Sequence, residues 1–275
     1  MSKVQSPKLK TARPDADETR GIGRAIRNDS EADFGLWTLD LGLRVSDLRK
    51  SFLNPAGERI AVLQGVSFSV NAGESVAIMG ASGAGKSTLL NLLGGLEAPD
   101  HGNIAAGHAA IESASQSALA HFRNQHVGFV FQFHHLLPDL TAVENVSLPL
   151  LIRRIRPKEA THRALQALEA VGLEQQSGYL AGNLSGGEQQ RIALCRALVH
   201  QPSLVLADEP TGNLDATIAG EIARSLVAYA KKLNRIVILA THSRDVAALC
   251  DRVLNLREGR IVASNESNLE RQPSI

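Results

Sequence analysis

A phosphate-binding loop is predicted by the residue types and spacing of one glycine-rich segment, Gly80-Ala81-Ser82-Gly83-Ala84-Gly85-Lys86-Ser87-Thr88. The segment fits the pattern G-x-x-x-x-G-K-[ST] at every fixed position. Glycines let backbone N–H groups curl around a phosphate without a Cβ in the way, and a helix that starts there directs its positive dipole end at the same oxygens. In such loops the lysine reaches the β- and γ-phosphates and the next hydroxyl ligates Mg²⁺. The pattern therefore predicts a nucleoside triphosphate site that contains Lys86 and Ser87.

The residues on both sides of this loop have the patterns of the strand and the helix that such a site requires. Residues 75–79 form a short apolar run typical of a buried strand. Leucines recur at helical spacing over residues 89–93, before Gly94-Gly95. The alternative is a glycine-rich turn that merely joins a strand to a helix. The complete pattern with both flanks favours the phosphate site.

Two carboxylates follow another apolar run, residues 204–207. Asp208 closes this run, as expected for the acid that holds Mg²⁺ through water. Glu209 comes directly after it, and a carboxylate there can polarise an attacking water as a general base. The alternative is a pair of acids that only caps the next segment, and the phosphate loop in the same chain favours the catalytic interpretation.

The order of the patterns predicts an α/β fold with a mainly parallel sheet. Apolar runs at residues 75–79, 204–207 and 236–240 alternate with helical patterns at about 185–199 and 216–233. Such alternation is typical of parallel strands covered by helices on both faces, with ligands at the carboxyl ends of the strands.

Further elements surround this core. Residues 41–70 predict an N-terminal antiparallel β layer, and residues 143–152 and 158–172 have helical periodicity that predicts an inserted helical subdomain at about 133–190. Residues 123–132 are interpreted as a strand that ends at Gln132, and residues 253–262 as a small hairpin.

The folded unit is expected to span residues 41–265. Residues 1–40 hold seven Lys/Arg and seven Asp/Glu with few large apolar side chains, so they are interpreted as a disordered tail. Residues 266–275 are interpreted as a C-terminal tail.

Composition indicates a cytosolic protein that reaches a membrane only through a partner. Of 275 residues, 44% are hydrophobic, and the formal net charge is +1, which gives no bulk attraction toward nucleic acid. No apolar run reaches the ~18 residues that span a bilayer, and the N-terminus lacks the apolar stretch of a secretory signal. Cys195 and Cys250 form no disulfide framework and are expected to be buried, reduced thiols.

The segment Leu184–Arg191 narrows the class of P-loop protein. Its sequence, Leu-Ser-Gly-Gly-Glu-Gln-Gln-Arg, resembles the LSGGQ-type signature of ATP-binding cassette (ABC) ATPases, and the resemblance covers about residues 41–265. The other positions that match the family pattern are the P-loop, Gln132 in the Q-loop, Asp208 and Glu209 after the Walker B strand, Asn213-Leu214-Asp215 in the D-loop, His242 in the switch and Phe52 in the A-loop, where most relatives have Tyr.

This resemblance implies ATP and Mg²⁺ as ligands and gives a role to each matching residue. Phe52 would stack on the adenine, and Gln132 would sense the γ-phosphate and ligate Mg²⁺ with Ser87 and Asp208. His242 would hold the γ-phosphate and orient the water beside Glu209.

The resemblance also implies a head-to-tail dimer. In the family, the signature of one subunit closes on the ATP held by the other, which here assigns ATP contacts to Ser185, Gly186, Gly187 and Glu188. A hydroxyl and bare N–H groups at a helix start suit a phosphate. Because the chain has one cassette, the second is most simply its own copy.

Within the family, the chain resembles the group that serves lipoprotein-releasing (Lol) systems and macrolide exporters. The run Pro210–Asp215 is shared across that group, whereas Phe133-His134-His135-Leu136-Leu137-Pro138 is more specific to lipoprotein release. In relatives this second segment contacts the membrane subunit. The group implies integral membrane permease partners, a location on the cytoplasmic face of the inner membrane, and no nucleic-acid partner. One departure is Ser243, which follows His242 where relatives more often have Asp.

Other functions stay open at this point. The same engine could drive a macrolide or peptide exporter or a cell-envelope regulator. Soluble ABC ATPases that act on DNA or ribosomes usually carry two cassettes or a long coiled-coil insertion, and a non-catalytic scaffold would be expected to lack Lys86, Glu209 or His242. A zinc site at His121, His126, His134 and His135 is disfavoured because their spacing matches no zinc pattern and no cysteine is near.

Overall fold

Two β-sheets form the framework of the fold in this computed structural model, which describes residues 42–212, 214 and 216–262. The predictions for residues 1–40, Asn213, Asp215 and the C-terminal tail lie outside those residues. The strands are β1 (Leu43–Leu53), β2 (Arg59–Val70), β3 (Ser75–Met79), β4 (His101–Ala106), β5 (Ala109–Ala110), β6 (Val127–Val130), β7 (Leu204–Asp208), β8 (Ile236–Thr241), β9 (Arg252–Arg257) and β10 (Arg260–Val262).

The two sheets differ in strand direction. The first has the order β2-β1-β4-β5 and is antiparallel throughout. The second has the order β10-β9-β3-β8-β7-β6, and all of its pairs are parallel except the β9–β10 hairpin. The predicted α/β fold, with an antiparallel layer beside a mainly parallel core, is confirmed.

Alternate residues of the parallel strands enter two different cores. Leu204 and Leu206 of β7 join the apolar cluster that lies between the two sheets, whereas Val205 and Ala207 join the cluster on the opposite face. Because side chains of a strand alternate between faces, a strand covered on both sides must be apolar at every position. This requirement explains the uninterrupted apolar runs that marked these strands in the sequence.

The α-helices of the described residues are α1 (Lys86–Leu93), α2 (Gln116–His126), α3 (Ala142–Ile152), α4 (Pro157–Glu169), α5 (Gly186–Leu198), α6 (Ala216–Leu233) and α7 (Arg244–Ala247). Three of them share a smaller apolar cluster of their own. The cluster joins α3, α4 and α5 through side chains such as Val146, Leu168 and Ile192. It overlaps the predicted helical subdomain at about 133–190. Among the described helices, none combines the length and the apolar character needed to cross a bilayer.

The predicted strand at residues 123–132 was wrong over its first half. Residues Arg123–His126 are the last turn of α2, and only Val127–Val130 form a strand. The Ser115 side chain caps α2 by accepting a hydrogen bond from the Ala118 amide, and Phe122 is fully buried on its inner face. A short helix with one apolar stripe gives a weak signal beside an apolar strand.

Both cysteines are free, and burial raises the pKa of Cys195 to about 12.

Asp251 ties the start of β3 to the start of β9 and to the end of α6. Its Oδ2 accepts hydrogen bonds from the Ser75 hydroxyl at 2.6 Å and the Ser75 amide at 3.0 Å. Its Oδ1 lies 2.6 Å from the Lys231 ammonium. The Lys231 contact, followed by the Ser75 hydroxyl, lowers the pKa of Asp251 to about 2.

Replacing Asp251 with Asn removes this charge while keeping one acceptor. We expect Asp251→Asn to lower the free energy of unfolding by about 1 kcal/mol at pH 7, because hydrogen bonds to a charged group are the stronger ones and solvent screens the Lys231 contact. The folded pKa lies below the unfolded one, so the native contribution is complete above about pH 4 and is lost as the pH falls toward 2. Urea unfolding at pH 7, 4 and 2.5 should therefore show a deficit that shrinks with acidification. Asp139→Asn, at an exposed site, is the control, and a deficit independent of pH would contradict the assignment.

Candidate nucleotide site

A cleft of about 740 Å³ opens where β3, β7 and β8 end, and its volume is in the range of small-molecule sites. The antiparallel hairpin contributes its rim, and the loops after the parallel strands contribute its floor. The lining residues are Phe52, Val62, Ser82, Gly83, Gly85, Lys86, Ser87, Thr88, Gln132, Asp208, Glu209 and His242. Residues from five separate parts of the sequence are thus brought together, and all but Val62 were predicted site residues.

The glycines of the loop are required for different reasons. A Cβ on Gly80 would collide with the carbonyl oxygen of Leu256, and a Cβ on Gly85 would lie 2.9 Å from Leu63 Cδ2. Gly83, at φ +79°, has no atom within 4 Å of such a Cβ, so neighbouring protein atoms do not require glycine there. Glycine is required there by the left-handed conformation and by the place on the cleft wall, because a residue without a Cβ leaves the backbone open to the cleft.

Lys86 is buried at the first position of α1 and is held by the loop itself. Its ammonium donates hydrogen bonds to the carbonyl oxygens of Gly80 at 3.0 Å and Ala81 at 3.3 Å. It also lies 3.5 Å from Glu209 Oε1. Ala84 packs its side chain against the main apolar cluster, so it shapes the loop rather than lining the cleft. The loop therefore presents one cation and a helix start to the cleft.

Asp208 and Ser87 together offer a set of oxygen ligands. Burial raises the pKa of Asp208, and the hydrogen bond from the Ser87 hydroxyl opposes that rise. Asp208 Oδ1 is buried and has no hydrogen-bond partner among the described residues. Such an orphaned carboxylate oxygen beside a hydroxyl fits a hard cation such as Mg²⁺. The amide of Gln132 completes this side of the cleft, beside Gly212.

Glu209 is held at the centre of the cleft in a strained backbone conformation. Its φ of +44° is uncommon for a residue with a side chain. Its amide donates to the Ala240 carbonyl at 2.9 Å, and its Oε2 lies 3.0 Å from His242 Nδ1. The side chain of Glu209 is only 11% exposed, whereas that of His242 is 70% exposed. Strain of this kind collects at functional sites, where the surrounding bonds overcome its cost.

The departure at Ser243 has a structural explanation. Ser243 is the N-cap of α7, and its hydroxyl accepts a hydrogen bond from the Val246 amide at 3.4 Å. Its own amide donates to the Thr241 hydroxyl at 3.1 Å. Ser and Asp are both favoured N-caps, so the substitution keeps the helix start that follows His242.

Phe52 lies near the end of β1, opposite Ile60 of β2. The Lys50 ammonium sits 5.1 Å from the ring centroid of Phe52. Lys50 is itself fixed by a 2.8 Å hydrogen bond to the Ala98 carbonyl and by Glu97 at 3.4 Å. Phe52 is 39% exposed at the rim of the cleft, where an aromatic face can stack on a base.

Comparison with known proteins decides the family. A family model described as ABC transporter matches residues 63–212. The chain belongs to the ABC transporter family. Membership implies that the cleft binds ATP.

Named relatives share most of their length with this ABC chain. A Legionella pneumophila protein named lipoprotein-releasing system ATP-binding protein LolD is 45% identical over 224 residues, which cover 82% of this chain and 98% of that protein. A Coxiella burnetii protein of the same name is 50% identical over 211 residues, which cover 76% of this chain and 91% of that protein.

Solved ABC cassettes share the fold. The dimeric structure of a bacterial ABC transporter cassette is 35% identical, has a TM-score of 0.76, and is matched over 80% of this chain and 96% of that one. A dimer of the same cassette in a post-hydrolysis state, bound to ADP and phosphate, is 34% identical with a TM-score of 0.75 and the same coverage.

The ABC signature does not line the cleft of its own chain. Ser185 is the N-cap of α5, and Ser185 and Gly186 are exposed. The Ser185 hydroxyl donates to Glu188 Oε2 at 2.6 Å, and the Glu188 amide returns a longer bond of 3.4 Å to the Ser185 hydroxyl. The Ser185 amide also donates to Glu188 Oε2, at 2.8 Å. The bonds from the Ser185 hydroxyl and amide lower the pKa of the Glu188 carboxyl, with the hydroxyl as the larger cause. Gly187 faces α6, and a Cβ placed on Gly187 would lie 3.6 Å from Ile218 Cδ1.

Sequence reasoning missed one residue of the cleft and one residue that holds the segment after Gln132. Val62 lines the cleft, but in sequence it is one more apolar residue of a strand. Arg196 of α5 donates to the carbonyl oxygens of His134 and His135 at 2.7 and 2.6 Å. Both histidines have positive φ, of +44° and +49°. The only signal for this contact was a basic residue beside the apolar stripe of α5.

The stacking assignment of Phe52 predicts a loss of nucleotide affinity on truncation. We expect Phe52→Ala to weaken ATP binding by roughly 5- to 150-fold, because stacking of one base on an aromatic side chain contributes about 1–3 kcal/mol. Phe52→Tyr should retain wild-type affinity. Titration calorimetry with ATP would measure both, with Phe133→Ala as the control because Phe133 is 70% exposed outside the cleft. Equal affinities for Phe52→Ala and Phe133→Ala would rule out the stacking role.

Proposed function

We propose that the chain is the ATP-hydrolysing subunit of an ABC transporter that releases lipoproteins from the inner membrane. The observation that carries the hydrolysis is the convergence of Lys86, Glu209 and His242 in one cleft. The cargo is supported by relatives named for lipoprotein release, which are 45–50% identical over nearly their full length.

Catalysis in this proposal is positioning and electrostatics around the γ-phosphate. Phe52 stacks on the adenine, and the loop from Gly80 to Thr88 wraps the phosphates with its N–H groups. Lys86 exchanges its bonds to loop carbonyls for the β- and γ-phosphate oxygens. Ser87, Gln132 and Asp208 would hold Mg²⁺, which supplies charge neutralisation between those phosphates.

Glu209 acts as the general base in this proposal. Its carboxylate takes a proton from the water that attacks the γ-phosphorus, while the bond from that phosphorus to the bridging β-phosphate oxygen breaks and ADP leaves. His242 holds the carboxylate by the bond to Oε2. The contact with Lys86 occupies the other oxygen, Oε1. When the phosphates draw Lys86 away, Oε1 is released to accept a bond from water.

The signature acts on the nucleotide of a second copy. Ser185, Gly186, Gly187 and Glu188 stand outside the cleft of their own chain, at the exposed start of α5. A head-to-tail dimer would bring this helix start to the γ-phosphate held by the partner, where its N–H groups and dipole favour the negative charge. The dimeric form of the related cassettes supports this arrangement.

In this proposal the chain lies peripherally at the cytoplasmic face of the inner membrane, where it binds an integral membrane permease. The segment 133–138 follows Gln132 directly and exposes Phe133 and Leu137, so a change at Gln132 can reach a bound permease. A macrolide or peptide exporter of the same group is the second candidate, because the run 210–215 is shared with it.

The general-base assignment predicts the behaviour of Glu209→Gln. We expect the variant to lose about 100-fold or more in turnover because the amide cannot accept the proton, while ATP binding and an ATP-held dimer remain. Phosphate release measures turnover, and gel filtration with ATP measures the dimer. Glu258→Gln is the matched control, since Glu258 also has a positive φ, +47°, but is exposed in the β9–β10 turn. Rapid hydrolysis by Glu209→Gln would contradict the assignment of Glu209 as the general base.

Depletion of the protein in its native cell tests the cargo. We expect outer-membrane lipoproteins to accumulate in the inner membrane, because their release would stop with ATP hydrolysis. Fractionation of the two membranes measures the distribution. The wild-type chain should restore sorting and Glu209→Gln should not. Normal sorting after depletion would contradict lipoprotein release and favour the exporter.

A further inference from the structure

The turn between α3 and α4 concentrates positive charge on a chain that is otherwise balanced. Residues 151–158, here named the cationic corner, contain four basic residues and no acidic one. The whole chain has 29 Lys+Arg against 28 Asp+Glu. An ordinary solvated face mixes both signs, so the absence of carboxylates over this stretch indicates a partner of negative charge.

The backbone of the corner is fixed by the helices on either side. The amide of Arg154 donates to the Leu151 carbonyl at 2.9 Å, and the amide of Ile155 donates to the Leu150 carbonyl at 3.0 Å. Arg154 takes the left-handed conformation, φ +60°, that ends α3, and Pro157 starts α4. The charges are therefore presented from an ordered turn.

Three of the four cations and two aliphatic side chains are exposed together. Arg154, Arg156 and Lys158 are exposed, and Ile152 and Leu151 are 61% and 39% exposed. Aliphatic side chains set among cations are typical of surfaces that insert at the boundary between lipid headgroups and acyl chains.

The fourth cation turns inward and joins a basic cluster behind the corner. Arg153 donates to the His200 carbonyl at 2.9 Å and to Gln125 Oε1 at 2.5 Å. Arg235 is a second cation near His126 in this cluster, whereas burial lowers the pKa of His126 to about 4, so that imidazole is neutral near pH 7. Arg153 and Arg235 thus add positive charge behind the corner.

We propose that the cationic corner contacts the anionic phospholipid surface of the membrane beside the permease. The proposal rests on the peripheral membrane location proposed above. The cytoplasmic loops of membrane proteins are enriched in Lys and Arg, which would repel this corner, whereas the anionic lipids around them attract it. Ile152 and Leu151 add apolar contact at the lipid interface.

Vesicle sedimentation of the full-length protein tests this contact. The probes are vesicles of phosphatidylcholine alone and of equimolar phosphatidylcholine and phosphatidylglycerol, at low and high salt. We expect the wild type to bind the anionic vesicles in a salt-sensitive manner. The triple variant Arg154→Gln, Arg156→Gln, Lys158→Gln should bind roughly 100-fold more weakly, since each basic residue near such a surface contributes about fivefold. Ile152→Ser should weaken the binding that remains at high salt.

A matched variant separates the corner from general charge. Arg44→Gln, Arg257→Gln, Arg260→Gln removes three exposed cations from β1 and from the β9–β10 hairpin, which lies at the edge of the second sheet opposite to β6. It should bind anionic vesicles within about twofold of the wild type. Equal losses in the two triple variants or equal binding to neutral and anionic vesicles would each overturn the proposal.

ATP hydrolysis in solution keeps this test distinct from the proposed function. The cationic corner lies outside the nucleotide cleft, so the corner variant should hydrolyse ATP at the wild-type rate. Hydrolysis without vesicle binding by the wild type overturns the corner alone. Vesicle binding by a wild type that does not hydrolyse ATP overturns the proposed function and leaves the corner intact.

Discussion

The carboxylate of Glu209 is held between two basic groups, and the second sheet positions all three groups. Lys86 follows β3, Glu209 follows β7 and His242 follows β8, and these strands are neighbours in the order β3-β8-β7. Their parallel registers pair Met79 with Thr241 and Asp208 with Ala240, so the three strands end at one level. A buried carboxylate left without its cationic partner would be strongly destabilised, so the strand order and the charge pair depend on each other.

In both parts of the proposed ATP site, the P-loop and the signature, side-chain donors already make hydrogen bonds within the chain. Lys86 donates to the carbonyls of Gly80 and Ala81, and the Ser185 hydroxyl donates to Glu188. Phosphate oxygens would replace these acceptors, so binding exchanges one hydrogen bond for another. Such exchanges cost little in net free energy, because no buried donor is left unpaired at either end. The internal bonds also keep the buried ammonium satisfied before the nucleotide arrives.

Local patterns predicted the parts of the fold that depend on local chemistry. The loop around Lys86, the apolar strands β3, β7 and β8, and the helices α3 and α4 could all be predicted because their signals span a few adjacent residues. Two features could not. The helix α2 carries only a narrow apolar stripe around Phe122, and a Cβ on Gly94 would collide with the Phe129 ring, a contact that only the packed fold creates. The Phe52 stacking position needed the family resemblance, since an isolated aromatic at a strand end is more often a core residue.

The helix α5 joins two segments that the proposal assigns to different partners. Its N-cap is Ser185, which the proposal places against the nucleotide of a second copy, and Arg196 near its end donates to the carbonyls of His134 and His135 within the segment 133–138. Burial lowers the pKa of Arg196, and the two carbonyl oxygens at 2.6 and 2.7 Å compensate for the water that this guanidinium loses. Since a helix is stiff along its axis, a shift of the signature would carry the bonded segment with it. In this proposal the start of α5 responds to the partner's ATP, and the segment after Gln132 responds to the chain's own ATP. Both can then transmit the same closure to the membrane.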